Sequence, residues 1–219
     1  METPSSMKVV EVFESLQGEG NYAGYPVTFV RLSGCTRRCS YCDTSYHQSG
    51  DEISVTALAD KIKTFKSHKV VWTGGEPALQ EQGIEQVMVL LSTNYAHHLE
   101  TNGDLLMNYS RFNYVACSPK SLSAAQNITT FMRALQRNSY TYDIKVVTDL
   151  AEVGTDLIPY ATTLMPLTLL EDSDKKSEVA LQEANKLLEQ KVWQYCVDNQ
   201  LKFSLRQHVH VWGSKKREV

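Results

Sequence analysis

Three cysteines, Cys35, Cys39 and Cys42, stand within eight residues in GCTRRCSYCDT, spaced C-x3-C-x2-C. Thiolates ligate zinc and iron–sulfur clusters, and so close a spacing lets one loop wrap one metal centre. Electron-transfer clusters take four cysteines; three leave one iron without a protein ligand, open to a small molecule. The same three with His47 would equally make a four-ligand structural zinc site. Cys117 and Cys196 lack any such spacing and read as ordinary buried or half-buried thiols.

Other chemistry-bearing residues are scattered. TGGEP (73–77) offers two glycines that let backbone approach a ligand closely, followed by a carboxylate. Arg31 interrupts an apolar stretch, FVRLSG, where an unpaired guanidinium would be costly, so it needs an anion. SLQGEG (15–20) reads as a glycine-flexed loop carrying an amide and a carboxylate.

The elements that must position these groups alternate. Strands are read at 8–13, 26–34, 69–72, 97–100, 114–117, 141–147, 161–165 and 202–209. Helices are read from an N-cap at Ser54 to Lys66, from Glu81 to Ser92, and between Lys175 and Asn199. The last of these has Val179, Leu181, Leu187, Leu188, Val192 and Tyr195 as its apolar face. A cysteine-bearing loop runs to about Asp51. Strands alternating with helices predict a parallel sheet with right-handed crossovers, in which chemistry collects at the carboxyl ends of the strands. The cysteines, GGEP, TNG, SPK and MP each follow a predicted strand, so they should converge on one rim. Residues 1–7 read as a frayed leader and 8–219 as a single domain.

Composition narrows the classes. With 219 residues, 42% hydrophobic and 21% charged, the chain reads as an ordinary globule able to bury its own core. A net charge of −3 does not advertise nucleic acid or an anionic membrane as partner. No apolar run approaches the roughly 18 residues of a membrane span, and METPSSMKVV lacks a signal-peptide core. An odd count of five cysteines fits a reducing cytoplasm better than a disulfide scaffold.

The triplet, with the aromatic Tyr41 before its last cysteine, resembles the radical S-adenosylmethionine (SAM) superfamily, and TGGEP fits that resemblance. Within it, SLQGEG, FVRLSGC, CDT (42–44), TGGEPALQ, ETNG (100–103), SPK (118–120), KVV (145–147), LMP (164–166) and HVHVWGSKKREV occur in the order found in the 7-carboxy-7-deazaguanine synthase family. The resemblance implies an α/β fold, an abridged, incomplete (β/α) barrel of the radical SAM type. It implies a lyase reaction in which 6-carboxy-5,6,7,8-tetrahydropterin contracts to 7-carboxy-7-deazaguanine with loss of ammonia. The cofactors implied are a 4Fe–4S cluster on Cys35, Cys39 and Cys42, SAM used catalytically, and Mg2+ on Thr44.

Residue roles follow from the same likeness. Leu16, Gln17, Gly18, Glu19, Arg31, Thr73, His208 and the Val219 terminus would meet the pterin, with Arg31 on its carboxylate. Tyr41, Gly74, Gly75, Glu76, Ser118, Pro119, Lys120, Met165 and Pro166 would hold SAM, with Glu76 accepting from the methionine ammonium. A homodimer and an electron donor of flavodoxin or ferredoxin type are implied partners. The chain departs from the family pattern in two places. WGSKKREV stands where a common form reads WGNKRGV, and Thr36 and Arg37 stand where Asn and Leu are usual. Lys215, Lys216 and Arg217 read as a solvated tail. Two other functions remain open on the residues: a radical SAM activase acting on a partner enzyme, and a zinc-stabilised binding module using His47.

Overall fold

The computed structural model describes residues 6–39, 42, 48–136, 141–169 and 178–213. Nine strands form one sheet: β1 (Ser6–Leu16), β2 (Pro26–Leu32), β3 (Asp51–Ser54), β4 (Lys69–Gly74), β5 (Ala96–Thr101), β6 (Tyr114–Cys117), β7 (Thr141–Thr148), β8 (Thr163–Pro166) and β9 (Lys202–Phe203). Their order is β3-β1-β2-β4-β5-β6-β7-β8-β9. From β2 to β9 every neighbour is parallel, whereas β1 pairs antiparallel with β2 and β3. The sheet does not close on itself, because β3 and β9 lie at opposite edges. The expected incomplete barrel is the fold observed.

Alternate residues of each strand face different worlds. Val30, Leu32, Trp72, Leu99, Val115, Ile144 and Leu164 join one buried core with Leu58 and Ile62 of α1 (Val55–Lys63), Ile84 and Val87 of α2 (Glu81–Leu90), Ile128 and Met132 of α3 (Leu122–Gln136) and Val192 of α4 (Glu178–Asn199). This is the outer, helix-covered face. Phe13, Val27, Phe29 and Val71 form a separate small cluster on the inner face, continued by Arg31, Thr73, Glu100 and Lys145. A register shift between Val9 and Glu11 inserts one extra residue. It lets Met7, Val9 and Val12 share the outer core while turning Glu11 inward opposite Arg31.

Ser54 caps α1 as read, its Oγ accepting from Ala57 N at 3.1 Å. Several expectations need correction. The leader does not reach residue 7: Ser6 and Met7 belong to β1, paired to β3, and Met7 is buried. The strand read at 202–209 stops after Phe203, and α5 (Gln207–Trp212) follows. The alternating HVHVW pattern suits a strand, but among the described residues no further strand lies beyond β9, and the backbone bonds locally, with His210 N donating to Arg206 O and Gly213 N to Val209 O. In α4 the inward line is Leu188, Val192, Tyr195 and Cys196, leaving Val179 and Leu187 exposed. Neither α3 nor β3 was anticipated.

Because β1 runs against β2, the loop between them (17–25) starts from the end opposite the cysteine-bearing rim. It then folds across the inner face. Tyr22 packs on His98 and Tyr114, Asn21 N donates to Asp143 at 2.9 Å, and Gly20 N donates to Ser204 Oγ beyond β9 at 2.9 Å. The gap in the barrel is thus bridged by this loop.

Candidate active site

The loops after β2, β4, β5 and β6 are knitted into one rim. Gly75 N donates to Leu32 O and Glu76 N to Gly34 O, at 3.0 and 2.8 Å. A Cβ on Gly75 would sit 1.6 Å from Gly34 O, and one on Gly74 (φ 120°) would sit 2.2 Å from Leu32 O. The backbone that the glycine pair approaches is therefore that of the cysteine-bearing loop.

Glu76 is anchored within this rim. It is wholly buried, and its carboxylate accepts from Ala78 N, Thr101 Oγ1 (2.7 Å) and Asn102 N (2.8 Å). These three bonds make the side chain a tie between the β4 and β5 loops, and a carboxylate, with about four acceptor positions, has capacity beyond them. Burial raises its pKa against these donors. Asn102, so fixed, donates from Nδ2 to Thr36 Oγ1 at 2.9 Å and lies 3.9 Å from Cys35 Sγ.

Cys35, Cys39 and Cys42 are free and half-buried. Cys42 N donates to Cys39 O, and Arg37 N donates to Cys35 Sγ at 3.5 Å. Among the described residues no three His, Cys, Asp or Glu side chains converge as one metal ion would require. A four-iron cluster makes no such demand, since each cysteine ligates a different iron. The three residues fit that group. Tyr41, Thr44 and His47, and at the far end Lys215, Lys216, Arg217 and Val219, lie outside the described residues.

In the neighbouring loop, Ser118 N donates to Thr101 O and Lys120 Nζ to Ser118 Oγ at 2.8 Å, with Pro119 buried between them. Burial lowers the Lys120 pKa. At the end of β8, Met165 and Pro166 are buried. Met165 shares the inner face with Thr163, away from the outer core. Cys117 and Cys196 are buried, and burial pushes both thiols up, which makes them inert.

Below the rim lies a charged network. Lys145 Nζ donates to Glu19 Oε2 (2.7 Å) and Glu100 Oε2 (2.6 Å), and Gln17 Nε2 donates to Glu100 Oε1 (3.0 Å). Burial pushes the Glu100 carboxyl up, opposed by Lys145. Burial works to lower the Lys145 pKa, but the two carboxylates outweigh it and hold the ammonium charged. Asp143 beside them accepts from Tyr114 Oη, Thr162 Oγ1 and Thr163 Oγ1. Arg31 Nε donates to Glu11 Oε1 at 2.6 Å, and Arg31 is in register with Thr73 on β4. The C-terminal segment reaches the same loop: Gln207 N donates to Gly18 O, and a Cβ on Gly18 would lie 2.6 Å from His208 Nδ1. Leu16 is exposed at the end of β1.

The structure thus brings Gln17, Gly18, Glu19 and His208 together, and groups the cysteines with Gly74, Gly75 and the SPK loop. Sequence reasoning assigned no role to Glu100, Asp143 or Lys145. The available signal was an Asp and a Lys inside the otherwise apolar strand YDIKVV.

A sequence profile of the radical SAM superfamily matches residues 29–182. The chain is 35% identical over 127 residues to the 7-carboxy-7-deazaguanine synthase of Aquifex aeolicus, covering 55% of this chain and 58% of that protein. It is 40% identical over 119 residues to the enzyme of that name from Neisseria meningitidis, covering 54% and 55%. The aligned stretch spans a little over half the length of these curated relatives. The crystal structure of QueE from Escherichia coli superposes with a TM-score of 0.63 at 21% identity, covering 93% of this chain and 95% of that one, which shows a shared fold. With its profile match over most of its length and its three free thiols on the loop after β2, the chain belongs to the radical SAM superfamily.

Proposed function

We propose that this chain is a 7-carboxy-7-deazaguanine synthase, contracting 6-carboxy-5,6,7,8-tetrahydropterin with loss of ammonia, as a single domain in the cytoplasm. The observation that carries this reading is the network of Gln17, Glu19, Glu100 and Lys145 on the inner face, beneath the cysteine rim. A pterin presents a planar edge of N–H donors with one carbonyl. A carboxylate accepts from such donors, and an amide both accepts and donates. The relatives of that name lend the same support.

When bound, the cluster and SAM supply a 5′-deoxyadenosyl radical; the protein's part is to hold, orient and keep water away. Cys35, Cys39 and Cys42 would hold the cluster. Ser118 and Lys120 would take the methionine carboxylate, Glu76 would accept from the methionine ammonium, and Gly74, Gly75 and Pro119 would line the same end of SAM. Tyr41, Met165 and Pro166 would flank the adenine. Arg31, beside Thr73, would receive the substrate carboxylate with Mg2+ on Thr44. His208 and the Val219 carboxylate would close the site from the C-terminal side, in a homodimer served by a flavodoxin- or ferredoxin-type donor.

The test is an anaerobic incubation of reconstituted, reduced protein with SAM, Mg2+ and the carboxypterin. Deazaguanine product with SAM undiminished supports the reading, and Cys39→Ala should abolish it. SAM cleavage only in the presence of a partner protein would mark an activase instead. One zinc per chain without acid-labile sulfide would mark a binding module.

A further inference from the structure

Arg37 lies between the first two cysteines of the triplet, where leucine is usual in the family it resembles. Its guanidinium ties the cysteine loop to two other strand-end loops. Nε and Nη2 grip both oxygens of Asp104, after β5, at 2.5 and 2.6 Å. Nη1 donates to Lys120 O (3.3 Å) and Nη2 to Ser121 Oγ (3.1 Å), both after β6. Ser121 in turn bonds Ala124 N and Ala125 N, fixing the start of α3. Thr36, the other departure from the usual pattern, donates to the same Asp104 carboxylate at 2.9 Å. Both unusual residues therefore converge on one acidic group. The pair is also partly sheltered, with side-chain exposures of 32% for Arg37 and 15% for Asp104, so the fork geometry is less screened than on an open surface.

We propose that Arg37, its guanidinium held by Asp104, is a clamp that sets the spacing between the cysteine loop and the SPK loop, making Arg37 a positioning residue for SAM. This rests on the superfamily reading of the rim, not on the identity of the substrate. The methionine end of SAM would have to reach both the cluster on the cysteine loop and the polar groups of the SPK loop, and those two sets of contacts stand on different loops. Holding them at a fixed separation before SAM arrives removes an ordering cost from binding. A lysine would place the charge but not the planar fork.

The experiment uses anaerobically reconstituted full-length protein without pterin, comparing wild type with Arg37→Leu, Asp104→Asn, Arg37→Lys and the double Arg37→Leu/Asp104→Asn variant. Iron and sulfide content, melting temperature, SAM dissociation constant and the electron paramagnetic resonance spectrum of the reduced cluster with and without SAM are measured. Each single variant should retain its iron and sulfide yet bind SAM about tenfold more weakly. The double variant should be no weaker than the weaker single, as a shared interaction requires. The SAM-induced spectral change should need correspondingly more SAM, and Arg37→Lys should not restore it. Unchanged SAM affinity and spectra in Arg37→Leu and Asp104→Asn would overturn the clamp, as would affinity lost only in proportion to iron. Wild-type protein that loads a cluster but turns over no pterin leaves these expectations intact and overturns only the proposed substrate; wild-type protein that binds no SAM overturns the superfamily reading and the clamp with it.

Discussion

The two faces of the sheet are made by the same strands and share almost nothing else. On β7, Ile144 and Val146 enter the helix-covered core, while Asp143 and Lys145 face inward among carboxylates, hydroxyls and amides. On β5, Leu99 and Glu100 divide in the same way. A strand places successive side chains on opposite faces, so one residue of register separates the groups that hold the protein together from those that equip its interior. The outer face is held by area removed from water and tolerates apolar exchange. The inner face is held by pairing, and its members fail in company.

The largest effect should come from Lys145→Met. It leaves Glu19 and Glu100 facing each other without the ammonium between them, and breaking such a buried set costs on the order of 3–5 kcal/mol. Adding Glu100→Gln should recover part of the lost melting temperature, because one of the two stranded charges is then gone. Pterin turnover should stay absent in both variants. A Lys145→Met protein that melts like wild type would show the inner face to be wet and the contrast false. On the outer face, Ile144→Ala should cost about 3 kcal/mol through lost burial and a residual cavity. Turnover per folded molecule should persist there. A drop in kcat at matched folded fraction would mean that the two faces are mechanically coupled.

What the sequence disclosed follows the same division. Apolar runs such as KVVW and YVAC announced strands because both faces of a parallel sheet are covered. The charge within FVRLSG announced that Arg31 needs an anion, whereas the Asp and Lys within YDIKVV carried the same kind of signal unread. Contacts between loops far apart in the chain left no local trace. The glycines of TGGEP read as room for a ligand, and only the fold shows that they also let this loop approach Gly34. That Glu76 also ties two loops together was illegible, because its partners, Thr101 and Asn102, stand 25 and 26 residues away. The extra residue at Val9–Glu11 inverts the alternation of β1, which no period-2 count anticipates. HVHVW carries a strand's alternation, yet it coils, because among the described residues no strand lies beyond β9 to pair with it.

Adjacent histidines sharpen the comparison at a smaller scale. His97 faces outward and accepts from Trp72 Nε1 at Nδ1, 3.3 Å away; His98 faces inward against Tyr22 and Tyr114. Burial lowers both to about 4, with Lys69 adding to the effect at His98. Their folded pKa lies below the unfolded value of 6.5, so each contributes fully above that pH and loses its contribution as the pH falls toward 4. At pH 5 each neutral imidazole should cost about 2 kcal/mol of stability relative to pH 7. Denaturant unfolding of His98→Phe should recover about half of that acid sensitivity. Identical pH profiles for variant and wild type would place His98 in contact with water.

Arg31 tests whether inner-face pairing is structural or poised for substrate, and the effect should be the smallest in free energy. Glu11 is its partner at 2.6 Å, so a salt bridge alone explains why a guanidinium survives in that strand. The two roles separate by mutating each partner in turn. Glu11→Gln keeps the guanidinium and removes the opposing charge, so the apparent KM for the carboxypterin should stay level or fall. Arg31→Met removes the carboxylate partner and should raise KM about tenfold, near 1.4 kcal/mol, with kcat little changed. Equal losses of melting temperature with no KM change in either variant would make the pair a structural strut and return the carboxylate to Mg2+ alone. Because Arg31 is in register with Thr73, a KM effect confined to Arg31→Met would also fix the end of the inner face at which the substrate carboxylate enters.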